Sequence, residues 1–135
     1  MQKESLMAYL WVGIGGALGS MARYGASGLV ARIAGGTFPF GTMVVNVSGA
    51  VVIGFFAALS IPEGRFLIPP PARLFVMTGI CGGYTTFSTF SLETFNLMRD
   101  GEWYRVAANV TGSVALCLIA VWLGYVAALA LSRAE

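Results

Sequence analysis

The stretch Thr78-Gly79-Ile80-Cys81-Gly82-Gly83-Tyr84-Thr85-Thr86-Phe87-Ser88-Thr89-Phe90-Ser91 decides how the chain is read. It lies inside a long apolar region, yet it carries three glycines and six hydroxyl side chains besides the tyrosine. Glycines this close together weaken a helix. Backbone freed from a helix inside lipid must be buried in protein or line a polar cavity. The stretch is therefore either a packing seam or the working part of a membrane transport protein.

Composition places the rest of the chain in a bilayer. Of the 135 residues, 57% are hydrophobic and 10% charged, against about 25% charged in an ordinary soluble domain. The mean hydropathy is +0.78. A net charge of +2 with no basic run gives no footing for a nucleic-acid partner. Histidine is absent, which removes the commonest general base and metal ligand. No metal-ligand cluster or nucleophile–base pair stands in its place. The loose glycine pattern Gly13, Gly15, Gly16, Gly19 follows no strand. The Gly82-Gly83 turn lacks the lysine of a phosphate loop. The reading is of a protein that is not an enzyme. Cys81 and Cys117 both fall in apolar segments and are expected as free, packed thiols.

Residues 1–135 are read as a single all-α membrane unit with four apolar segments, approximately 6–30, 40–61, 71–98 and 103–131. Gly35-Gly36 ends the first segment, and Pro62-Glu63-Gly64-Arg65 closes the second. Pro69-Pro70-Pro71 starts the third, where proline suits a first helical turn. Arg99-Asp100-Gly101 ends it. Trp11, Trp103, Tyr104, Trp122 and Tyr125 are candidate interfacial anchors.

An even number of spans puts Lys3, Arg65, Arg73 and Arg133 on one side and Arg23, Arg32, Arg99 and Arg105 on the other. Four cations against four give no preferred orientation. Insertion both ways would permit an antiparallel homodimer, and a second copy also supplies room for a polar path that four tightly packed helices lack. Gly15 with Gly19, and Gly79 with Gly83, form close-packing pairs; those in the first segment are expected to pack within the subunit.

Polar residues inside spans are costly and mark pathways or interhelical bonds. Thr42, Asn46 and Gly49 share one helix face by spacing, and so do Arg105, Asn109 and Ser113. A break near the middle of the third segment would free carbonyl oxygens able to coordinate a cation near the bilayer midplane. Phe87 and Phe90 fall on one face if helix resumes after the break. Ring edges are electropositive, and Ser88, Thr89 and Ser91 add hydroxyl donors. Donors and ring edges suit an anion; carbonyls suit a small cation. Both in one stretch point to an anion path built around a fixed cation.

The chain resembles the Fluc (CrcB) family of fluoride channels over nearly its whole length. The resemblance rests on Gly15-Gly16-Ala17-Leu18-Gly19 with Arg23-Tyr24, on Phe40-Gly41-Thr42 with Val45-Asn46, and on Gly79 with Gly82-Gly83. Its most specific part is Thr85-Thr86-Phe87-Ser88-Thr89-Phe90-Ser91 with Glu93. It implies a multi-pass subunit of a dual-topology antiparallel homodimer in a bacterial-type inner (plasma) membrane, with two fluoride pores and a structural sodium ion on the two-fold axis. By position, backbone carbonyls of Gly82 and Thr85 would hold the sodium. Phe87 and Phe90 would line the pores with Asn46, while Thr42 and Ser113 would form a polar track. Arg23 and Glu93 would serve the vestibule or the framework. Asn109 stands where the family varies, and its assignment to the pore rests mainly on the stripe. Tyr84 departs from the smaller aliphatic residue expected after the glycine pair.

The implied mechanism is passive fluoride export. Hydroxyls and the Asn amide replace water around a small anion, and phenylalanine edges bridge a narrow apolar section. The alternative is a four-span proton-coupled exporter of organic cations. That activity needs a carboxylate well inside a span, and Glu93, near the end of the third segment, is poorly placed for it.

Overall fold

The computed structural model describes residues 2–60 and 68–133. Arg65 and the residues expected to close the second segment, 61–65, lie outside the described residues, as do the side chains of Lys3 and Arg133. The regular elements among the described residues are all helices, with no strand among them. Helix α1 spans Gln2–Ala34 and α2 spans Phe40–Leu59. The third segment begins with α3, Pro70–Arg73, continues as a π-helical turn over Leu74–Cys81 and ends in α4, Gly82–Tyr84. Helix α5 spans Phe87–Arg99, and α6 spans Trp103–Arg133.

The segment boundaries have local causes. Helix α1 outruns the expected 6–30 at both ends, because a helix can continue into water where its apolar face stops. Its 33 residues give a length of about 50 Å, against a hydrocarbon core of ~30 Å. Gly35 ends it with φ +79°, a left-handed conformation that glycine adopts without strain. Gly101, at φ +75°, turns the chain between α5 and α6. Pro70 and Pro71 occupy the first turn of α3, where an amide hydrogen would lack a partner anyway.

Between α4 and α5 the backbone leaves the helix for two residues. Thr85 has φ −80°, ψ 158° and Thr86 has φ −153°, ψ 117°, both extended. Thr86 caps the new helix, its hydroxyl oxygen accepting from Thr89 N–H at 3.2 Å.

The helices pack in two tight pairs. α1 lies on the π-helical turn and α4, and α2 lies on α6. Both contacts are made backbone to backbone through glycine. A Cβ on Gly15 would meet Phe75 O at 2.5 Å, and one on Gly79 would meet Gly15 Cα at 2.9 Å. Gly19 faces Ile80 O and Gly83 faces Gly16 O just as closely. The glycine pairs of the first and third segments thus zip together within one chain. In the second pair, Gly54 sits on Val121 O and Gly124 on Val51 O. Small side chains fill much of the remaining core, among them Ala50, Ala58, Ala120 and Ala128, and Val45 is fully buried.

α2 and α6 are each long and apolar enough to cross a membrane, with mean hydropathy 2.0 and 2.5 over their best windows. α1 is diluted by six glycines and by Arg23 and Arg32, and the third segment is divided at Thr85. Only 17% of the apolar window of α6 is buried inside the chain. Leu118 and Trp122 are among its exposed residues. Apolar surface on this scale needs lipid or another protein against it.

Candidate functional site

Asn46 organises the break. It stands on α2 opposite Thr86, and its carboxamide makes two hydrogen bonds to that one residue's backbone. Thr86 N–H donates to Asn46 Oδ1 at 2.7 Å, and Asn46 Nδ2 donates to Thr86 O at 3.0 Å. A buried backbone without such partners would cost about 1–3 kcal/mol per polar group. The side chain of α2 thus supplies what the helix no longer does. On the other side of the break, Arg23 Nη1 donates to Thr85 O at 3.4 Å, and Ser20 Oγ donates to Gly83 O at 3.4 Å. The Thr85 hydroxyl turns back to Cys81 O at 2.8 Å.

A cavity of about 370 Å³ opens beside this break. Asn46, Gly82, Thr85, Phe87, Phe90 and Ser113 all line it. Six of the residues singled out in the sequence thus meet in one place. The Phe87 and Phe90 rings lie 5.3 Å apart, tilted by 42°. Phe87 is 77% exposed, so its ring stands at the open side of the cavity, not in the core.

Two further cavities approach from the other face of Thr86 and from the chain end of α5. One, of about 330 Å³, is lined by Arg23, Thr42, Thr86 and Thr89. The other, of about 620 Å³, is lined by Thr42, Thr89, Glu93, Asp100, Glu102 and Arg105 among others. Thr86 borders both the first cavity and the Arg23 cavity, so it is the partition between them. Thr42 donates to Glu93 Oε1 at 2.9 Å, tying α2 to α5. Glu93 Oε2 is buried with no partner among the described residues. At the rim Arg105 pairs with Glu102 at 3.5 Å.

Asn109 and Ser88 line none of these three cavities. Asn109 is 1% exposed. Its Nδ2 donates to Thr94 Oγ1 at 2.9 Å, and it accepts from Ser113 Oγ at 3.3 Å. It joins α6 to α5 by a buried interhelical bond. Ser88 Oγ lies 3.2 Å from Thr86 Oγ1, within the cap of α5.

Sequence reading passed over two features. Cys117 lines the first cavity, one turn beyond Ser113 on the same face of α6, and that spacing was visible. The Tyr84 hydroxyl lies 3.0 Å from Ser48 Oγ, and its ring packs where Gly49 has no Cβ. No sequence signal linked Tyr84 to that position.

The fold and site define an all-helical protein with two helices among its described residues long and apolar enough to cross a membrane and a polar-ended cavity beside the extended residues Thr85 and Thr86. A family profile described as "CrcB-like protein, Camphor Resistance (CrcB)" matches residues 10–125, and the chain belongs to that family. It is 60% identical over 124 residues to a protein of Opitutus terrae named "Fluoride-specific ion channel FluC", covering 92% of this chain and 94% of that one. It is 56% identical over 127 residues to a protein of the same name from Methylocella silvestris, covering 94% and 97%. A Rhodospirillum rubrum protein of that name is 55% identical over 127 residues, covering 94% and 98%.

Proposed function

We propose that the protein is a fluoride-selective ion channel that passively exports fluoride, its whole length forming one subunit of an antiparallel homodimer with two pores in a bacterial-type inner membrane. The observation that carries this reading is the cavity where Asn46, Phe87, Phe90 and Ser113 meet. It provides an amide donor, a hydroxyl and two aromatic rings, and no carboxyl group among its lining residues. An anion leaving water there finds the second Nδ2 hydrogen of Asn46 at one wall, the Ser113 hydroxyl once it turns from Asn109 Oδ1, and ring edges at the mouth. Larger halides are excluded by fit and by incomplete solvation. Support for the pairing of subunits comes from the open side of the cavity, where Phe87 is exposed, and from the four-against-four distribution of cations.

The residues fit a structural sodium at the break. Gly82 O receives no backbone N–H among the described residues. Thr85 O has only the long contact from Arg23 and keeps a free lone pair. Both residues line the cavity. Oxygen-only donors of this kind suit a hard cation. Bound between two copies, the ion would supply a fixed positive charge between the anion paths; Gly82 and Thr85 would hold it. Arg23 and Glu93 belong to the flanking vestibules in this reading, and Thr42 and Thr89 border both.

The test is efflux of fluoride and of chloride from liposomes containing the purified protein. Fluoride should leave far faster than from empty liposomes, and chloride should not. Fluoride efflux at the empty-liposome level, from correctly folded protein, would end the reading.

A further inference from the structure

One backbone hydrogen decides whether the Gly82 carbonyl is free. In an unbroken helix the Thr86 N–H would donate to the carbonyl four residues back, which is Gly82 O. Here it donates to Asn46 Oδ1 at 2.7 Å instead. The neighbouring Thr85 N–H is already committed to Cys81 O at 2.9 Å. No other backbone amide among the described residues reaches Gly82 O. Thr85, extended at ψ 158°, turns the Thr86 N–H away from Gly82 O, and a side chain 40 positions away holds the hydrogen that would have closed that carbonyl.

The geometry points to Asn46 as the positioning residue of the cation site: its Oδ1 keeps the Thr86 N–H away from Gly82 O, so that this oxygen can ligate a small hard cation such as sodium. The role differs from lining an anion path. It uses the acceptor oxygen of the amide, whereas donation to an anion would use the Nδ2 hydrogens. Asn46 Nδ2 spends one hydrogen on Thr86 O at 3.0 Å and keeps a second. One side chain thus serves the break with one atom and retains a donor at the cavity wall. Arg23, donating to Thr85 O, adjusts the other carbonyl from the opposite face. This inference rests on the sodium reading above.

The two halves of the amide can be separated by substitution. Asn46→Asp keeps an acceptor oxygen for the Thr86 N–H. Asn46→Leu keeps the volume and loses it. Asn46→Ser is too short to reach and is milder to the packing. The readout is the unfolding temperature of purified protein as sodium chloride replaces N-methylglucamine chloride at constant ionic strength. A ligand that binds only the folded state raises that temperature as the logarithm of 1 + [L]/Kd, and fitting the rise gives the sodium concentration that half-occupies the folded protein, the sodium midpoint. Asn46→Leu and Asn46→Ser should raise the sodium midpoint by about tenfold or more, since the Gly82 carbonyl must first give up a hydrogen bond in each of two subunits. Asn46→Asp should keep the midpoint within about threefold of wild type or lower it, its charge favouring a cation.

A wild-type midpoint in Asn46→Leu or Asn46→Ser overturns the inference. So does an Asn46→Asp midpoint raised as far as theirs, which remains decisive if Asn46→Leu does not fold. Fluoride efflux measured in parallel separates the two readings. Sodium-dependent stability without fluoride efflux would refute the channel and leave this inference standing. Fluoride efflux with no sodium response in wild type would refute the cation site and this inference with it.

Discussion

Asn46 and Thr86 exchange two hydrogen bonds, N–H to Oδ1 at 2.7 Å and Nδ2 to carbonyl at 3.0 Å. The carboxamide of one helix thereby takes the place of a neighbouring backbone for a single residue of another. Divided helices in membranes survive only where something re-satisfies the freed groups. Here the repair and the cavity are built from the same residue, so the break cannot be moved without moving the cavity wall.

That coupling sets the first prediction, on conduction. Asn46→Asp adds a negative charge at the wall of the proposed path and loses the donor side of the amide. At an effective dielectric of about 20, a charge roughly 6 Å from a passing anion opposes it by about 3 kcal/mol, on the order of a 100-fold loss of rate. Phe87→Ile removes a ring edge and keeps the site apolar; a loss of about tenfold, or ~1.4 kcal/mol, is expected. Both variants should elute at the wild-type volume, because Asn46→Asp changes no apolar side chain and Phe87→Ile keeps an apolar one of nearly the same size. The check is fluoride efflux at matched protein density, alongside size-exclusion chromatography of the same preparations.

The Thr42–Glu93 bond at 2.9 Å gives a second prediction, on stability. Thr42→Val removes the one partner of Glu93 Oε1, and Oε2 already has none among the described residues. The cost should be about 1–3 kcal/mol in denaturant unfolding. In a Glu93→Leu background the same Thr42→Val change should cost under about 0.5 kcal/mol, because an apolar pair leaves no orphaned group. Equal costs in both backgrounds would show that the bond contributes nothing.

The helices were legible because lipid demands long apolar runs, and Gly35, Pro69 to Pro71 and Gly101 punctuate them. That α1 runs past the apolar stretch at both ends was not, since composition marks where the apolar stretch ends and not where hydrogen bonding stops. Six residues singled out in the sequence line one cavity: spacing drew attention to Asn46 and Ser113, the Thr-Thr-Phe-Ser-Thr-Phe stretch to Phe87 and Phe90, and the family resemblance to Gly82 and Thr85. Asn109 shows the limit. Spacing put it on one face with Ser113, and the two are bonded, but only Ser113 reaches the cavity. Periodicity identifies a face; the partner helix, here α5 through Thr94, decides what that face meets. Likewise the glycines announced a weak helix, while the two extended residues are held from α2 and α1, through Asn46 and Arg23.

Close glycine contact gives a third prediction. Gly124→Ala would drive a Cβ into Val51 O and to within 3.0 Å of Phe55 N, both backbone atoms of α2. Neither can rotate away, so α2 and α6 must separate. The expected loss is about 1–3 kcal/mol, as for other overpacked cores. Gly13→Ala meets nothing within 4 Å and should gain roughly 0.5–1 kcal/mol from helix propensity. Opposite signs for one chemical change, read from unfolding in detergent, would locate the seam.

Cys117 carries the last prediction. It lines the cavity with Phe87, Phe90 and Ser113, and its side chain is partly exposed, whereas Cys81 in the same wall is 2% exposed. A small reagent such as methyl methanethiosulfonate should therefore find Cys117 first. The thiolate attacks the reagent's divalent sulfur, a disulfide forms, methanesulfinate leaves, and the thiol proton goes to solvent. The added methylthio group narrows the cavity at the level of Ser113, so fluoride efflux should fall in wild type. Cys117→Ser should conduct and ignore the reagent, while Cys81→Ser should remain sensitive. Intact-protein mass spectrometry counts the adducts independently of flux. A full adduct at Cys117 with unchanged efflux would place this face of α6 outside the fluoride path.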